Sequence, residues 1–362
     1  MAAGSPTLGT IPRSLRAGQL KRLSFLCGLP VGGRKEELIT RLTTAAAAAV
    51  SNASPPARSR TAGPVVLSID LGIRNLAFSL MTPVSTPASR KSKASLSTGT
   101  SPPPIKLHAW QRLSLLENSN SSDEDDAISE DASSAGAFAP AVLAKTANAF
   151  LQETVMRLKP LPTHILIERQ RWRSSGAPAI QEWTVRVNTL EAMLHASLQT
   201  LRDIGAWKGQ VASIRPERVG QLFLDAEATD TAAPRKEVEE DVEDESGPKS
   251  RRKRTSGRKT SAEAKKLKIE LLKRWLGQGD AVVASGNKNA GLMLDAYRAA
   301  SSGAKRRRSK RVVEEETGKE TVTLDSKLDD LTDSLLQGMA WLRWRENMAL
   351  LRLEDGFEQL LE

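Results

Sequence analysis

Three short acid-bearing segments, met in order along the chain, hold the residues best suited to chemistry. Val65 to Asn75 places Asp70 at the end of an apolar run, and Ile165 to Arg171 does the same with Glu168. Lys327 to Asp333 gathers Asp329, Asp330 and Asp333 on a helical stretch. Carboxylates brought together in this way attract hard divalent cations, which prefer oxygen ligands. Phosphodiester hydrolysis needs an attacking water, a stabilised phosphorus centre and a leaving oxygen able to accept charge. Two divalent ions about 4 Å apart serve all three needs.

Such a site calls for one acid on a central strand, one on its neighbour and one or two on an adjoining helix. Asp70 fits the first place and Glu168 the second. On the helix, Asp330 and Asp333 share a face at a spacing of three, and Asp329 and Asp333 share one at a spacing of four. Asp329 and Asp330 point about 100° apart, so the helix alone leaves open which of them joins Asp333. Taken singly, each acid has an ordinary reading: an Asp after a strand forms turns, and Asp329 can cap its helix. The joint spacing in matching contexts favours the metal site.

The partner of such a site is legible in the charge. The 362 residues carry a formal charge of +10, with a pI near 9.8. Residues 117–131 and 225–245 hold 17 of the 43 acids, so the remainder is more basic than the total. A polyanionic partner follows. Cys27 is the only cysteine, which excludes a disulfide framework within one chain and points to a reducing compartment. No apolar run approaches the length of a membrane span, so no membrane association is expected. The N-terminus carries Arg13, Arg16, Lys21 and Arg22 and no acid before Glu36, a composition like an organelle presequence.

Residues 1–11 read as disordered or targeting. Residues 12–46 read as two short helices, with Leu20, Leu23 and Leu26 inward on the first and Leu38, Ile39 and Leu42 inward on the second, broken by Gly28 to Gly33. This unit resembles a SAP motif, a resemblance that implies duplex DNA contacts by Arg34, Lys35 and Arg41. Residues 47–62 read as a linker. The main domain spans 63–350, with low-complexity insertions at 82–104, 117–135, 225–260 and 280–322, and 351–362 as a C-terminal tail.

Strands are expected at Val65–Ile69, Asn75–Leu80, Ile105–Leu115, His164–Glu168 and Val211–Ile214. Helices are expected at Ala139–Leu158, Ala179–Leu201, Pro216–Phe223, Ser261–Leu276 and Asp325–Met348. This order predicts an α/β, ribonuclease-H-like, mixed five-stranded sheet with helices on both faces. Ile180, Trp183, Val187, Leu190 and Leu194 recur at helical spacing, as a core face or a dimer contact.

The segments Ser68–Ala77, Ile167–Ser174 and Lys327–Trp344 resemble the fungal mitochondrial Holliday-junction resolvases, relatives of the bacterial RuvC resolvases. Pro216–Gly220 and Lys265–Leu271 are similar to that family too. The resemblance implies a homodimer that cuts four-way junction DNA symmetrically with Mg2+, Mn2+ substituting, in mitochondria. It carries the metal-binding acids onto Asp70, Glu168, Asp330 and Asp333, with Asp329 the uncertain member. Arg169, Arg171 and Arg173 are candidate phosphate grips, and Lys265, Lys266 and Lys268 candidate contacts to the scissile phosphate. Basic clusters at Arg251–Arg254 and Lys305–Arg311 leave the nucleus as a second address. Two rival functions remain on the same residues: a catalytically silent SAP-containing DNA-binding protein, and a nuclease cutting RNA–DNA hybrids.

Overall fold

The computed structural model describes residues 11–51, 63–84, 100–115, 136, 138–171, 180–229, 261–279, 281–301, 324, 328–353 and 355–361. Six strands form one sheet: β1 (Val66–Asp70), β2 (Leu76–Pro83), β3 (Ile105–Leu113), β4 (His164–Glu168), β5 (Gln210–Ile214) and β6 (Val282–Ala284). Their spatial order is β5-β4-β1-β2-β3-β6. β1, β2 and β3 are antiparallel neighbours, whereas β4 and β5 run parallel to β1. The parallel arrangement puts the ends of β1 and β4 side by side.

β6 corrects the expected count of five strands. It pairs parallel with β3, and helix α7 (Lys288–Ser301) follows the loop after it. Residues 281–301, read as part of an insertion, therefore belong to the fold. A three-residue strand is too short to show a period in sequence. Its registration comes from the edge of β3, and α7 is fixed by burial of Leu294 and Tyr297. The remaining stretches read as insertions lie largely outside the described residues.

Strand side chains alternate between two cores, as a pleated sheet requires. Leu67, Ile69, Phe78, Leu80, Ile165 and Ile167 face α3 (Pro140–Ala149) and α4 (Glu182–Asp203). Val66, Ala77, Met81, Leu107 and Trp110 face α5 (Pro216–Thr229), α6 (Ser261–Gln278), α7 and α8 (Asp329–Leu350). Helix α3 continues into a π turn over Phe150–Thr154 and a 3-10 turn over Val155–Arg157 rather than staying α-helical to Leu158. In α4 the inward face is Val187, Leu190, Leu194 and Leu198, while Ile180 and Trp183 are about two-fifths exposed at 41% and 43%.

The N-terminal hairpin consists of α1 (Ala17–Leu26) and α2 (Lys35–Ser51). Leu20, Leu23, Leu26, Leu38 and Leu42 are buried as expected, but the core they enter also contains residues of α5, α8 and α9 (Gly356–Leu361). The hairpin is thus built into the main fold rather than tethered to it. Asn347 Nδ2 donates to Leu26 O at 2.6 Å, and Arg218 Nη1 donates to Gly28 O at 2.9 Å. Helix α2 also runs through the alanine stretch assigned to the linker, because alanine has the highest helix propensity. The C-terminal segment is likewise no loose tail: Leu351 and Leu360 are buried in the same core.

Gly28 is where the hairpin turn and the domain meet. Its φ is +68°, and a Cβ there would lie 2.4 Å from Trp344 Cδ2. Gly28→Ala should therefore lower global stability by about 1–3 kcal/mol through overpacking and left-handed backbone strain. Chemical denaturation followed by tryptophan fluorescence measures this. A shift confined to a separate, early N-terminal transition would contradict the shared core.

Candidate active site

Two parallel strands and one helix deliver the acids. Asp70 ends β1, Glu168 ends β4, and the register pairs Ile69 with Ile167 immediately before them. Helix α8 lies across β1 and β2 with Asp329 and Asp330 in its first turn. Asp70 feels the charges of Glu168, Asp333 and Asp330, so four acids distant in sequence share one electrostatic neighbourhood.

That neighbourhood disfavours ionisation. Burial, the hydrogen bond with Glu168 and the surrounding acids hold the Asp70 carboxyl well above the usual carboxylate range. Burial also raises Glu168, although the Asp70 hydrogen bond and Lys268 pull it back. Asp330 is pushed up to about 6, by burial first and then by Asp329 and Asp333, against Arg112 and Lys265. Asp329 behaves differently. Burial would raise it, but Lys265 and the backbone N–H groups of the helix start prevail and hold it low.

Two lysines of α6 act as counterions. Lys265 Nζ lies 2.6 Å from Asp329 Oδ2, and Lys268 Nζ lies 2.9 Å from Asp333 Oδ1. Lys266 is exposed. Among the described residues no three carboxylate, imidazole or thiol groups form a ready cation-binding cluster. The acids are near enough to repel one another, yet lysine ammonium groups hold two of them. The set nevertheless fits hard divalent cations. It is all oxygen, drawn from rigid elements, and its repulsion is of the kind a cation relieves.

The expected basic residues are distributed unevenly. Arg169 is exposed, and Arg171 pairs with Glu217 in the first turn of α5. Arg173 lies outside the described residues. Arg34 and Lys35 are exposed at the hairpin turn, but Arg41 Nη1 donates to Pro30 O and, at 2.9 Å, to Gly32 O. Arg41 therefore braces the turn. Sequence reasoning missed Glu217, whose charge reaches Glu168, and Arg112, whose charge reaches Asp330. A Pro-Glu step directly after a strand was the available sign of the first. Arg112 is signalled by nothing local, because only the β2–β3 register brings it to the site.

Comparison with known proteins gives one consistent direction. The family described as mitochondrial resolvase Ydc2 / RNA splicing MRS1 matches residues 66–351. The mitochondrial cruciform cutting endonuclease 1 of Schizosaccharomyces pombe is 32% identical over 177 residues. That match covers 49% of this chain and 53% of the relative, so it spans about half the relative's length. The crystal structure of the yeast mitochondrial Holliday junction resolvase Ydc2 superposes with a TM-score of 0.51 at 20% identity. It covers 95% of this chain and 98% of that one, and it shows the same fold.

The repulsion among the acids has a measurable sign. A carboxyl with a raised folded-state pKa contributes stability below the unfolded range and loses it as pH rises through the folded value. Without divalent cations, the melting temperature should fall as pH climbs from about 5 to about 8. Asp70→Asn should raise it by several degrees at the upper pH and hardly at all at the lower. Differential scanning calorimetry in chelator reads both, and equal shifts at the two pH values would refute the buried-repulsion account.

Proposed function

The chain belongs to the family of mitochondrial resolvase Ydc2 and RNA-splicing MRS1, and on that premise we propose that it is a metal-dependent endonuclease resolving four-way DNA junctions. The observation that carries this reading is the convergence of Asp70, Glu168, Asp330 and Asp333 at one end of the sheet. A member that only binds RNA or DNA has no need to gather four mutually repelling, half-buried acids. The second activity in the family's description, RNA splicing, is therefore the weaker reading here.

Asp70, Glu168, Asp330 and Asp333 would hold the cations, with Mg2+ as the expected metal and Mn2+ a substitute. Bound there, a pair of divalent ions supplies charge neutralisation for the phosphate and an acidified water for attack on phosphorus. Asp329 serves Lys265 and the helix start rather than the cations. Lys268, released from Asp333 once that acid is otherwise neutralised, is placed to steady charge developing on the scissile phosphate. Arg169 and Lys266, both exposed, would contact phosphates, and the exposed Arg34 and Lys35 of the hairpin would add to them.

Two opposed strands of a junction need two sites related by a two-fold axis, which a homodimer provides. Ile180 and Trp183, exposed where the inward stripe of α4 begins, are the apolar residues for that contact. The relatives' names and the basic N-terminus support a mitochondrial address.

A synthetic four-way junction incubated with the purified chain and Mg2+ should yield paired, symmetric nicks, with linear duplex and RNA–DNA hybrid cut far less. Asp70→Asn should reduce the rate by about three orders of magnitude, the scale of several kcal/mol of lost charge stabilisation. Binding without cutting by the unaltered chain would sink the nuclease reading. For the interface, Trp183→Glu should convert dimer to monomer in light scattering. It should also leave junctions nicked on one strand. A dimer of unchanged mass would refute this contact.

A further inference from the structure

Gln337 is buried, with 3% of its surface exposed, one turn beyond Asp333 on the same face of α8. Its Nε2 lies 3.1 Å from Ser68 Oγ and 3.1 Å from Ile69 O. A backbone carbonyl only accepts hydrogen bonds, so the amide group there must be the donor. Both hydrogens are used, and both acceptors lie on the last residues of β1 before Asp70. The Ile69 carbonyl belongs to the peptide unit whose N–H is that of Asp70.

The surroundings make this contact a fixed spacer. At the next position, a Cβ on Gly338 would lie 2.3 Å from Met81 Cε and 3.2 Å from Ser68 Cβ. A larger residue there would have to displace the Met81 end and press on Ser68, so glycine eases the close approach of helix to sheet. The strand residues beneath α8 are small: Ser68, Ala77 and Ser79. Ser79 Oγ donates to Ser334 O at 3.0 Å, adding a second tie one turn away. Close-packed contacts of this kind do not stretch, because a gap forfeits contact energy and strands buried polar groups.

We infer that Gln337 is the positioning residue that sets the separation between the strand acids, Asp70 and Glu168, and the helix acids, Asp330 and Asp333, and thereby tunes the affinity of the site for small divalent cations. The inference rests on the proposed metal site. Gln337 touches neither cation nor substrate in this role. It acts through the peptide before Asp70 and the helix turn after Asp333. A site for Mg2+ demands near-ideal geometry, so a small widening is felt strongly.

The test measures cation binding by the free full-length protein, with Mn2+ titrated and followed by electron paramagnetic resonance. Gln337→Met keeps the length and apolar volume but removes both donors. It should weaken Mn2+ binding by about 10- to 100-fold, the range for residues that orient metal ligands. Ser68→Ala, a milder change that leaves the Ile69 acceptor, should move affinity the same way by less. Leu198→Val, in the core on the other face of the sheet, should lower the melting temperature without moving affinity. Asp70→Asn should abolish tight binding. Wild-type affinity in both Gln337→Met and Ser68→Ala, with Asp70→Asn still defective, would overturn the role of Gln337 alone. Undiminished binding in Asp70→Asn would instead overturn the metal site itself, and this inference with it. An equal loss of affinity in Leu198→Val would reduce the effect to general destabilisation and reject positioning.

Discussion

The close approach of α8 to the centre of the sheet is the constraint on which the rest depends. Small strand residues and Gly338 let helix and sheet come into contact, and buried hydrogen bonds from Gln337, Ser79 and Trp110 fix their relative height. Trp110 Nε1 donates to Leu331 O at 3.0 Å, one residue beyond Asp330. Tyr297 of α7, its ring 4.9 Å from that of Trp110, reaches Thr332 Oγ1 at 2.6 Å. The first turns of α8 are therefore clamped from the sheet and from α7. Acids that repel one another need such a clamp, since the Asp70–Glu168 hydrogen bond ties the two strand acids to each other but not to those of the helix.

The lysines of α6 complete the electrostatics. Burying several carboxylates without counter-charge is costly, and the usual response is protonation or pairing. Both occur here: Asp70 and Asp330 titrate high, while Lys265 and Lys268 pair with Asp329 and Asp333. On the proposed function, ammonium groups turning toward a phosphate would leave the acids to cations.

The integration of the N-terminal hairpin bears on the DNA contact proposed for it. Because α1 and α2 share a core with α5 and α8, the exposed Arg34 and Lys35 stand at a fixed distance from the acids. The first turn of α5 touches both regions: Arg218 holds the Gly28 carbonyl, and Glu217 holds Arg171 beside the Glu168 strand. A rigid basic surface selects nucleic acid of one shape more sharply than a tethered one, since misfitting shapes gain only part of the contacts.

Much was legible in the chain itself. Asp70 and Glu168 announced themselves because each ends an apolar run, and strand periodicity is a local property. Helical spacing put Asp333 on one face with either Asp329 or Asp330, and only the family resemblance favoured Asp330, whereas Leu20, Leu23 and Leu26 marked their buried face. What a sequence lacks is the third dimension of short or polar signals. β6 forms only because β3 offers an edge, Ser68 and Gln337 look like ordinary polar residues until each is seen as the other's partner, and Ile180 and Trp183 match a core stripe that the helix places partly in solvent. Local pattern picked out which residues are candidates for the chemistry. Tertiary structure decided their separation, the ammonium groups that neutralise them and the fusion of the hairpin to the domain, because each of these is set by contacts between segments far apart along the chain.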